Sequence, residues 1–263
     1  MPRPIITFTT DFGLSDPYAA VMKGVVLGIL PTADIVDVSH DVPSFDVTGA
    51  AFTVAQTYPF FPKRTVHVVV VDPGVGTSRR PILVEAAGQY FIAPDNGVLS
   101  MVYSREPKRK VRHITADKYF LKPVSRTFHG LDIFAPVAAH VARGASPASL
   151  GRLVEDYLHQ QFEKPVRTAR RGWTGSILRV DRFGNVITNY HISEFGAVET
   201  VPFELSVGLQ HVTRIGDNYA AFGIGELFVI VGSSGYLEVA ANQASAARIL
   251  GCEAGAPLEL RLL

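Results

Sequence analysis

The chain has 263 residues, and its 25 Lys and Arg side chains against 24 Asp and Glu give a formal net charge of +1. Apolar residues make up 47% and charged residues 19% of the chain, which excludes intrinsic disorder because such a composition can bury a large core. The near-neutral charge argues against a nucleic-acid partner, for which a basic excess is typical. The short basic run KRK at 108–110 is interpreted as a solvated loop.

The sequence favours a cytoplasmic location and no membrane partner. A single cysteine, Cys252, cannot form an intrachain disulfide, which fits a reducing compartment, and we interpret it as a small buried side chain. The first eight residues become polar too soon for a signal peptide. The apolar run over 25–30 is much shorter than a membrane span.

The first 163 residues alternate between strand-like and helix-like segments. The strand-like segments are residues 5–9, 35–38, 65–71, 81–86 and 89–93, and the helix-like segments are residues 19–30, 46–58, 97–104 and 133–143. Asp16 followed by Pro17 is typical of a helix start with Asp as the cap. The run TVHVVVV over 65–71 is β-branched without alternation, which indicates a central strand buried on both faces. This alternation predicts an α/β domain over 1–163 with a mostly parallel sheet and helices on both faces.

Residues 164–171 are charged and lack apolar periodicity, so we predict a linker there. Beyond it, strand-like segments recur and are separated by Gly, Asn and Asp. These segments are residues 176–180, 186–190, 201–207, 227–231, 236–240 and 258–262. The pattern predicts a smaller C-terminal antiparallel β-barrel domain over 172–263.

Two carboxylates follow predicted strands at the sheet edge where ligands bind in open α/β folds. Asp11 follows the first strand, and Asp72 follows the most strongly apolar one. A lone Asp in such a place commonly caps a turn, but two of them on neighbouring strands point equally to a binding site. The loop DPGVGTSRR, residues 72–80, lacks the third glycine and the following helix of a dinucleotide fingerprint, so we exclude NAD. Arg79 in this loop could fold back onto Asp72 and favour its ionised form.

Other motifs exclude several enzyme classes. His129 lies in the loop TFHGLD, where a lone His is more often structural, and no second His stands at a metal-ligand spacing from it. The sequence contains no Gly-x-Ser-x-Gly elbow and no Walker-type loop. The run DRFGNVITN at 181–189 looks like a hairpin turn, although Phe183 and Asn185 could offer a stacking face and an amide to a purine. A second small turn, GSSGYLE at 232–238, could hold a carboxylate or an amine.

Taken together and in this order, five of these motifs resemble the S-adenosylmethionine hydrolase family (adenosine-forming), also called SAM hydroxide adenosyltransferases. The family is related to the fluorinases and chlorinases. The matching motifs are TDFG with Asp16, DPGVGT with Arg79, FHG at 128–130, DRFGN at 181–185 and GSSGYLE at 232–238. They span nearly the whole chain.

The resemblance implies an N-terminal α/β domain, a C-terminal β-barrel domain and a homotrimer. Each active site would lie between the N-terminal domain of one subunit and the C-terminal domain of the next. The implied reaction is attack of water or hydroxide at the ribose 5′ carbon of S-adenosyl-L-methionine (SAM), which gives adenosine and L-methionine. Neither a cofactor nor a metal is expected.

The resemblance also implies roles for individual residues. The family's catalytic triad corresponds to Asp72, Arg79 and His129. Asp11 would hold the two ribose hydroxyls, for which a carboxylate is a suitable acceptor. Adenine would lie between two aromatic rings with an amide at its edge, supplied by Phe183, Tyr219 and Asn185. The methionine end would be surrounded by Asp16, Asp181, Ser233, Ser234 and Glu238.

The sequence departs from the halogenating relatives at three functional positions. Those enzymes carry a Tyr in place of Asp72, a halide-binding Ser in place of Gly130 and, for the methionine carboxylate, an Arg in place of Ser234. A carboxylate at position 72 would repel a halide and favour water. Three alternatives stay open: a SAM-dependent halogenase, a non-catalytic adenosine or SAM sensor, and a scaffold without a ligand.

Overall fold

A computed structural model describes residues 3–162 and 164–263 of the chain. Met1, Pro2 and Glu163, the last of which ends the predicted first domain, lie outside the described residues. The chain divides into two compact units, Met1–Gln161 and Phe162–Leu263. No helix in the described ranges is long and apolar enough to cross a membrane.

The first unit is built on six strands and four α-helices. The strands are β1 (Ile5–Thr10), β2 (Asp34–Ser39), β3 (Val66–Val70), β4 (Pro81–Ala86), β5 (Gln89–Pro94) and β6 (Arg109–His113). The helices are α1 (Tyr18–Ile29), α2 (Val47–Thr57), α3 (Ser100–Arg105) and α4 (Ala135–Ala142). Short 3-10 turns cover Tyr58–Phe60, Asp117–Tyr119 and Pro147–Ser149. A π-helical turn, Gly130–Phe134, leads directly into α4.

The strand order is β2-β1-β3-β5-β4-β6, and β4 runs in the opposite direction to the other five strands described. All five residues of β3 are buried, and its consecutive residues Val68 and Val69 face opposite sides of the sheet and belong to separate apolar clusters. Residues of α1 and α4 complete one cluster, and residues of α2 and α3 complete the other. The predicted mostly parallel sheet with helices on both faces is therefore confirmed.

Two local predictions in the first unit are wrong. No side chain caps α1, so Asp16 is not its N-cap, whereas Asp46 does cap α2 by accepting a hydrogen bond from Gly49 N at 2.8 Å. The basic run is not a loop, because Arg109 and Lys110 lie on β6 at the edge of the sheet. Charged side chains protect such an edge from pairing with other chains.

The second unit consists mainly of β-strands. They are β7 (Val166–Ala169), β8 (Gly172–Val180), β9 (Val186–His191), β10 (Phe203–Val207), β11 (Gln210–Val212), β12 (Leu227–Val231), β13 (Tyr236–Ala241) and β14 (Pro257–Leu262). The α-helices are α5 (Ile192–Phe195) and α6 (Ala246–Leu250), and 3-10 turns cover Gly196–Glu199 and Tyr219–Ala221.

The antiparallel strands of the second unit form a nearly closed barrel. Their order is β11-β10-β14-β8-β9-β13-β12, with β7 paired to β8. The segment after β11 hydrogen-bonds to β12, since Val229 N donates to Arg214 O at 2.7 Å and Gly216 N donates to Val229 O at 3.0 Å. These bonds bring the two ends of the sheet together and confirm the predicted antiparallel barrel.

The stretch 164–171, predicted to be a linker, contains β7. All four residues of β7 are exposed, and the strand pairs with β8 alone. An exposed edge strand buries no side chains, so it leaves no apolar periodicity in the sequence.

Candidate active site

The carboxyl ends of β1 and β3 border a cavity of about 340 Å³ in the first unit. These two parallel strands are neighbours, and the chain leaves them in opposite directions along the sheet, which is where ligands bind in open α/β folds. The cavity is lined by Asp11, Phe12, Asp16, Tyr18, Ser44, Phe45, Val70, Asp72, Val75, Thr127, Phe128, His129 and Gly130.

Asp72 and Arg79 form a nearly buried ion pair at this cavity. Arg79 Nε donates to Asp72 Oδ1 at 3.0 Å, and Arg79 Nη2 donates to Asp72 Oδ2. The exposed fractions of the Arg79 and Asp72 side chains are 8% and 6%, so each charge depends on the other. Arg79 Cζ also lies 5.2 Å from the ring centroid of Phe134. The Nη1 atom of Arg79 is buried and has no hydrogen-bond partner within the described residues.

His129 completes this group as a neutral acceptor. Its Nδ1 lies 2.8 Å from Arg79 Nη2, and because a guanidinium only donates, Nδ1 must accept. The neutral ring therefore carries its proton on Nε2. Burial and the adjacent Arg79 charge lower the pKa of His129 from its usual value, while Asp72, the Ser125 carbonyl and Asp132 act in the opposite direction.

The loop that carries Asp72 and Arg79 packs closely against the loop that carries His129. Gly76 has a φ of +77°, and a Cβ at this position would collide with the backbone carbonyl of Arg126. Glycine is required there by the approach of a second protein segment. This contact keeps the two loops in register.

Asp11 and Asp16 lie at the other side of the cavity. Asp11 Oδ2 accepts a hydrogen bond from the backbone N–H of Phe45 at 2.9 Å, which fixes the carboxylate. Asp16 is exposed and lines the cavity. The structure therefore places four of the predicted residues around this cavity, Asp11, Asp16, Asp72 and His129, and Arg79 lies behind them in contact with Asp72 and His129.

Three aromatic rings that sequence reasoning missed also line the cavity. Phe12, Tyr18 and Phe128 pack mutually, with ring centroids 5.2 to 5.7 Å apart. Phe12 and Phe128 belong to the motifs TDFG and FHG, a signal that could have found them. Phe45 left no such signal because it holds Asp11 through its backbone.

In the second unit, the turn between β8 and β9 is ordered around Asp181. Its Oδ1 accepts from the backbone N–H groups of Phe183 and Asn185, at 2.9 and 2.8 Å, and its Oδ2 accepts from Asn185 Nδ2 at 2.9 Å. Gly184, with a φ of +87°, allows the tight turn. Asn185 Nδ2 also lies 3.4 Å from the hydroxyl of Tyr219. The turn thus connects four predicted site residues, Asp181, Phe183, Asn185 and Tyr219, and the nitrogen of the Asn185 amide is already used within the protein.

Glu238 is a largely buried carboxylate in the same unit. Its exposed fraction is 9%, and no cation is paired with it within the described residues. Burial, with a smaller contribution from the Asp181 charge, raises the pKa of Glu238 to about 7. The pKa of Tyr219 is also raised, first by burial and then by Glu238 and Asp181. Glu238, Asp181 and Tyr219 therefore lie close enough to share one electrostatic environment.

The two aromatic rings and the two serines among the predicted residues of the second unit offer stacking surfaces and polar groups. Phe183 is 78% exposed and Tyr219 is 42% exposed, so both rings are available for stacking. Ser234 Oγ is buried and lacks a hydrogen-bond partner in the part of the chain that the structure describes. Ser233 is exposed in the turn before β13. Among the described residues, no group of three or more His, Cys, Asp and Glu side chains could hold a metal ion.

Two models of known protein families match the chain, one in each unit. The SAM hydroxide adenosyltransferase N-terminal domain model matches residues 6–151, and the corresponding C-terminal domain model matches residues 175–259. The chain belongs to the SAM hydroxide adenosyltransferase family. Both matched ranges contain predicted site residues, so the resemblance seen in the motifs is confirmed.

Curated proteins that are similar to this chain carry two kinds of name. A protein of Salinispora tropica named (R)-S-adenosyl-L-methionine hydrolase is 40% identical over 97% of this chain and 96% of its own length. A protein of Nocardia brasiliensis named fluorinase is 27% identical over 99% of this chain and 97% of its own length. The crystal structure of an uncharacterized conserved protein from Thermotoga maritima matches with a TM-score of 0.91 and 37% identity, over 97% of this chain and 99% of that one.

Proposed function

We propose that this protein hydrolyses S-adenosyl-L-methionine to adenosine and L-methionine. The observation that carries the proposal is the buried Asp72–Arg79–His129 group at the cavity, in a chain 40% identical to a hydrolase of this substrate over nearly its whole length. Identity to the fluorinase is lower, at 27%. Hydrolase activity is therefore favoured over halogenation.

The reaction needs a water molecule held in line with the bond between sulfur and the 5′ carbon. The sulfonium leaves as a neutral thioether, so no acid is required, and the main task of the protein is positioning. The water oxygen bonds to C5′ while the C5′–S bond breaks and its electron pair passes to sulfur. The water gives up a proton, so each turnover yields adenosine, L-methionine and one proton.

Asp72 is the proposed acceptor of that proton. Both of its oxygens accept from Arg79, but each keeps a second lone pair for a water molecule. His129 has no free lone pair, because Nδ1 accepts from Arg79 and Nε2 carries the proton. His129 thus orients Arg79. The unpartnered Nη1 of Arg79 supplies a donor that would stabilise developing hydroxide character.

The other site residues are proposed to bind the substrate in parts. Asp11 takes the ribose hydroxyls with the oxygen that Phe45 leaves free. Adenine stacks on Phe183 and Tyr219, and its amino group donates to the Asn185 carbonyl oxygen. The methionine end is assigned to Asp16, Asp181, Ser233, Ser234 and Glu238. The ammonium group suits the carboxylates, and the methionine carboxylate suits the serine hydroxyls and turn N–H groups.

The assembly belongs to the same proposal. A homotrimer would join the substrate-binding residues of the N-terminal domain of one subunit to those of the C-terminal domain of the next. Chemical crosslinking or light scattering in solution checks the stoichiometry, and a monomer with full activity would contradict it. A cytoplasmic location and a reaction without a cofactor complete the proposal.

Product analysis tests the proposed function. The protein is incubated with the R and S sulfonium epimers of SAM, with and without chloride, and the products are separated by chromatography. We expect equal amounts of adenosine and L-methionine, and faster turnover of the R epimer because the relative's name specifies it. A main product of 5′-chloro-5′-deoxyadenosine would establish the halogenase alternative. Stoichiometric SAM binding without either product would establish the sensor alternative.

A further inference from the structure

Asp132 is a buried carboxylate outside the proposed triad, and it makes an unusual set of contacts. Its exposed fraction is 5%, and within the described residues it forms no ion pair with a Lys or Arg side chain. Its Oδ2 instead accepts two hydrogen bonds from one residue, from Ser125 N at 2.8 Å and from Ser125 Oγ at 2.6 Å. A buried charge satisfied by neutral donors alone is expensive for stability, so this position calls for a functional explanation.

The contacts of Asp132 and Ser125 close a loop around His129. Ser125 Oγ, which donates to Asp132, also accepts from Phe128 N at 3.0 Å. Leu121 N donates to the Asp132 carbonyl at 2.8 Å, and Asp132 N donates to the Phe128 carbonyl at 3.2 Å. Phe128 lines the cavity directly before His129. The segments before and after His129 are therefore connected by hydrogen bonds to one residue, Asp132.

The backbone at this place is also irregular. His129 is followed by the π-helical turn Gly130–Phe134, in which Asp132 lies, and the regular helix α4 begins only at Ala135. Single π-helical turns are rare and occur frequently at functional sites, because they redirect side chains that a regular helix would place elsewhere. Here the turn allows Asp132 to reach back to Ser125.

We propose that Asp132 and Ser125 are positioning residues that hold His129 with its Nδ1 atom facing Arg79. The proposal rests on the proposed function in one respect, namely that correct placement of His129 and Arg79 matters for turnover. This pair of residues, called the clamp below, fixes the orientation of the His129 ring and contacts neither substrate nor water. A purely structural role in closing the 121–132 loop would stabilise the fold but leave the ring orientation and turnover unchanged.

Substitutions at the clamp separate these two roles. Ser125→Ala removes the hydroxyl but keeps the N–H bond to Asp132, and because Ser125 is partly exposed the variant is expected to fold. Asp132→Asn keeps the shape and an acceptor oxygen but removes the charge. We expect kcat to fall by about 10- to 100-fold in both with little change in KM, as is typical when a supporting hydrogen-bond partner is lost. Ser125→Thr retains the hydroxyl and is expected to restore most of kcat.

Ser149→Ala is a matched control from the same unit. Ser149 Oγ donates to the Ser146 carbonyl at 2.7 Å and lies 2.9 Å from the Tyr119 hydroxyl, so its removal also breaks two hydrogen bonds, but Ser149 does not line the cavity. This variant is expected to keep the wild-type kcat and KM.

Nitrogen-15 spectra of the imidazole rings provide a readout that is independent of activity. In the wild type we expect His129 Nδ1 to be unprotonated and Nε2 to be protonated. In Ser125→Ala and Asp132→Asn the two nitrogen shifts should move toward each other as the ring exchanges between tautomers. Unchanged shifts together with unchanged kcat in both variants would overturn the clamp. Absence of hydrolysis in the wild type would instead overturn the proposed function, and the spectra would still decide whether the clamp holds the ring.

Discussion

The two groups of candidate site residues differ in how far the protein itself satisfies their charges. In the first unit, Asp72 and Arg79 neutralise each other, and His129 accepts from the same guanidinium. In the second unit, Asp181 and Glu238 are both acidic, and the pKa of Glu238 is raised to about 7 by burial and by Asp181. In the first group the two opposite charges are already paired, whereas no Lys or Arg side chain is paired with the two carboxylates of the second group within the described residues.

This difference matches the two tasks that the proposed reaction sets. Positioning water for attack requires groups that keep one geometry before substrate arrives, which a closed network of charge-assisted hydrogen bonds provides. Recognition of a cationic amino acid requires carboxylates that gain their partner only on binding. The following variants test whether the two groups divide in this way.

The largest effect is expected from Asp72→Asn. The amide cannot accept the proton of the attacking water, so kcat should fall by about 10²- to 10⁴-fold, the usual contribution of a positioned base. The variant also weakens a nearly buried ion pair, and we expect a loss of stability of about 3 kcal/mol. Steady-state kinetics and thermal unfolding measure the two effects.

Asp95→Asn is the matched control for this variant. Asp95 Oδ2 lies 2.6 Å from Arg80 Nη2. The side chain of Asp95 is 5% exposed, and Asp95 does not line the cavity. The control should lose comparable stability but keep its kcat. Similar kcat values for the Asp72 and Asp95 variants would remove Asp72 from the chemistry.

A smaller effect is expected from Phe183→Ala, and it should appear in binding. Stacking of a base on an aromatic side chain contributes about 1–3 kcal/mol, so KM for SAM should rise by about 10-fold or more while kcat changes little. Phe60→Ala is a suitable control because Phe60 is similarly exposed, at 86%, and is not one of the predicted site residues. An unchanged KM in Phe183→Ala would exclude the ring from adenine binding.

Glu238 should make SAM binding depend on pH. Because its pKa is raised to about 7, the carboxylate loses its charge as the pH falls below 7 and then attracts the substrate ammonium less strongly. Calorimetry should show several-fold weaker SAM binding at pH 6 than at pH 8 in the wild type, and a flatter dependence in Glu238→Gln. If SAM binding by the wild type and by Glu238→Gln showed the same pH dependence, another titratable group would be its cause.

The smallest expected effect is a change in the stability of the Glu238→Gln variant. The folded-state pKa of Glu238 lies above the ordinary value of 4.5, so the folded chain binds the proton more tightly and its stability falls as the pH rises from 4.5 to 7. Glu238→Gln avoids this penalty. We expect it to be more stable than the wild type by about 1–2 kcal/mol at pH 8, and equally stable at pH 4. A destabilised variant at pH 8 would show that the carboxylate has a partner in the free protein.

The features of the fold that follow from apolar patterning were predictable. The continuous β-branched run at 65–71 indicated a strand buried on both faces, and β3 is such a strand. Asp11 and Asp72 were expected at neighbouring strand ends, and the pairing of β1 with β3 confirms this. Patterning failed where elements bury little, as with β7 and with the basic residues of β6.

The parts of the candidate site that depend on tertiary hydrogen bonds were not predictable. Gly76 lies against the Arg126 carbonyl, a contact between separate segments that the sequence of the loop does not specify. Nothing in the local sequence marks Asp132 as the acceptor for Ser125, because the π-helical turn that brings them together forms only in the folded unit. The partner of a polar group is set by three-dimensional placement, which residue type and spacing do not specify.

An isotope experiment tests the central claim most directly. The wild-type protein is given the R epimer of SAM in water enriched in oxygen-18, and the adenosine formed is examined by mass spectrometry. Direct attack of water at C5′ predicts that the fraction of adenosine with one oxygen-18 atom in its 5′ hydroxyl equals the enrichment of the water, with one L-methionine released for each adenosine. Adenosine without the label, or methionine released without adenosine, would contradict attack of water at that carbon.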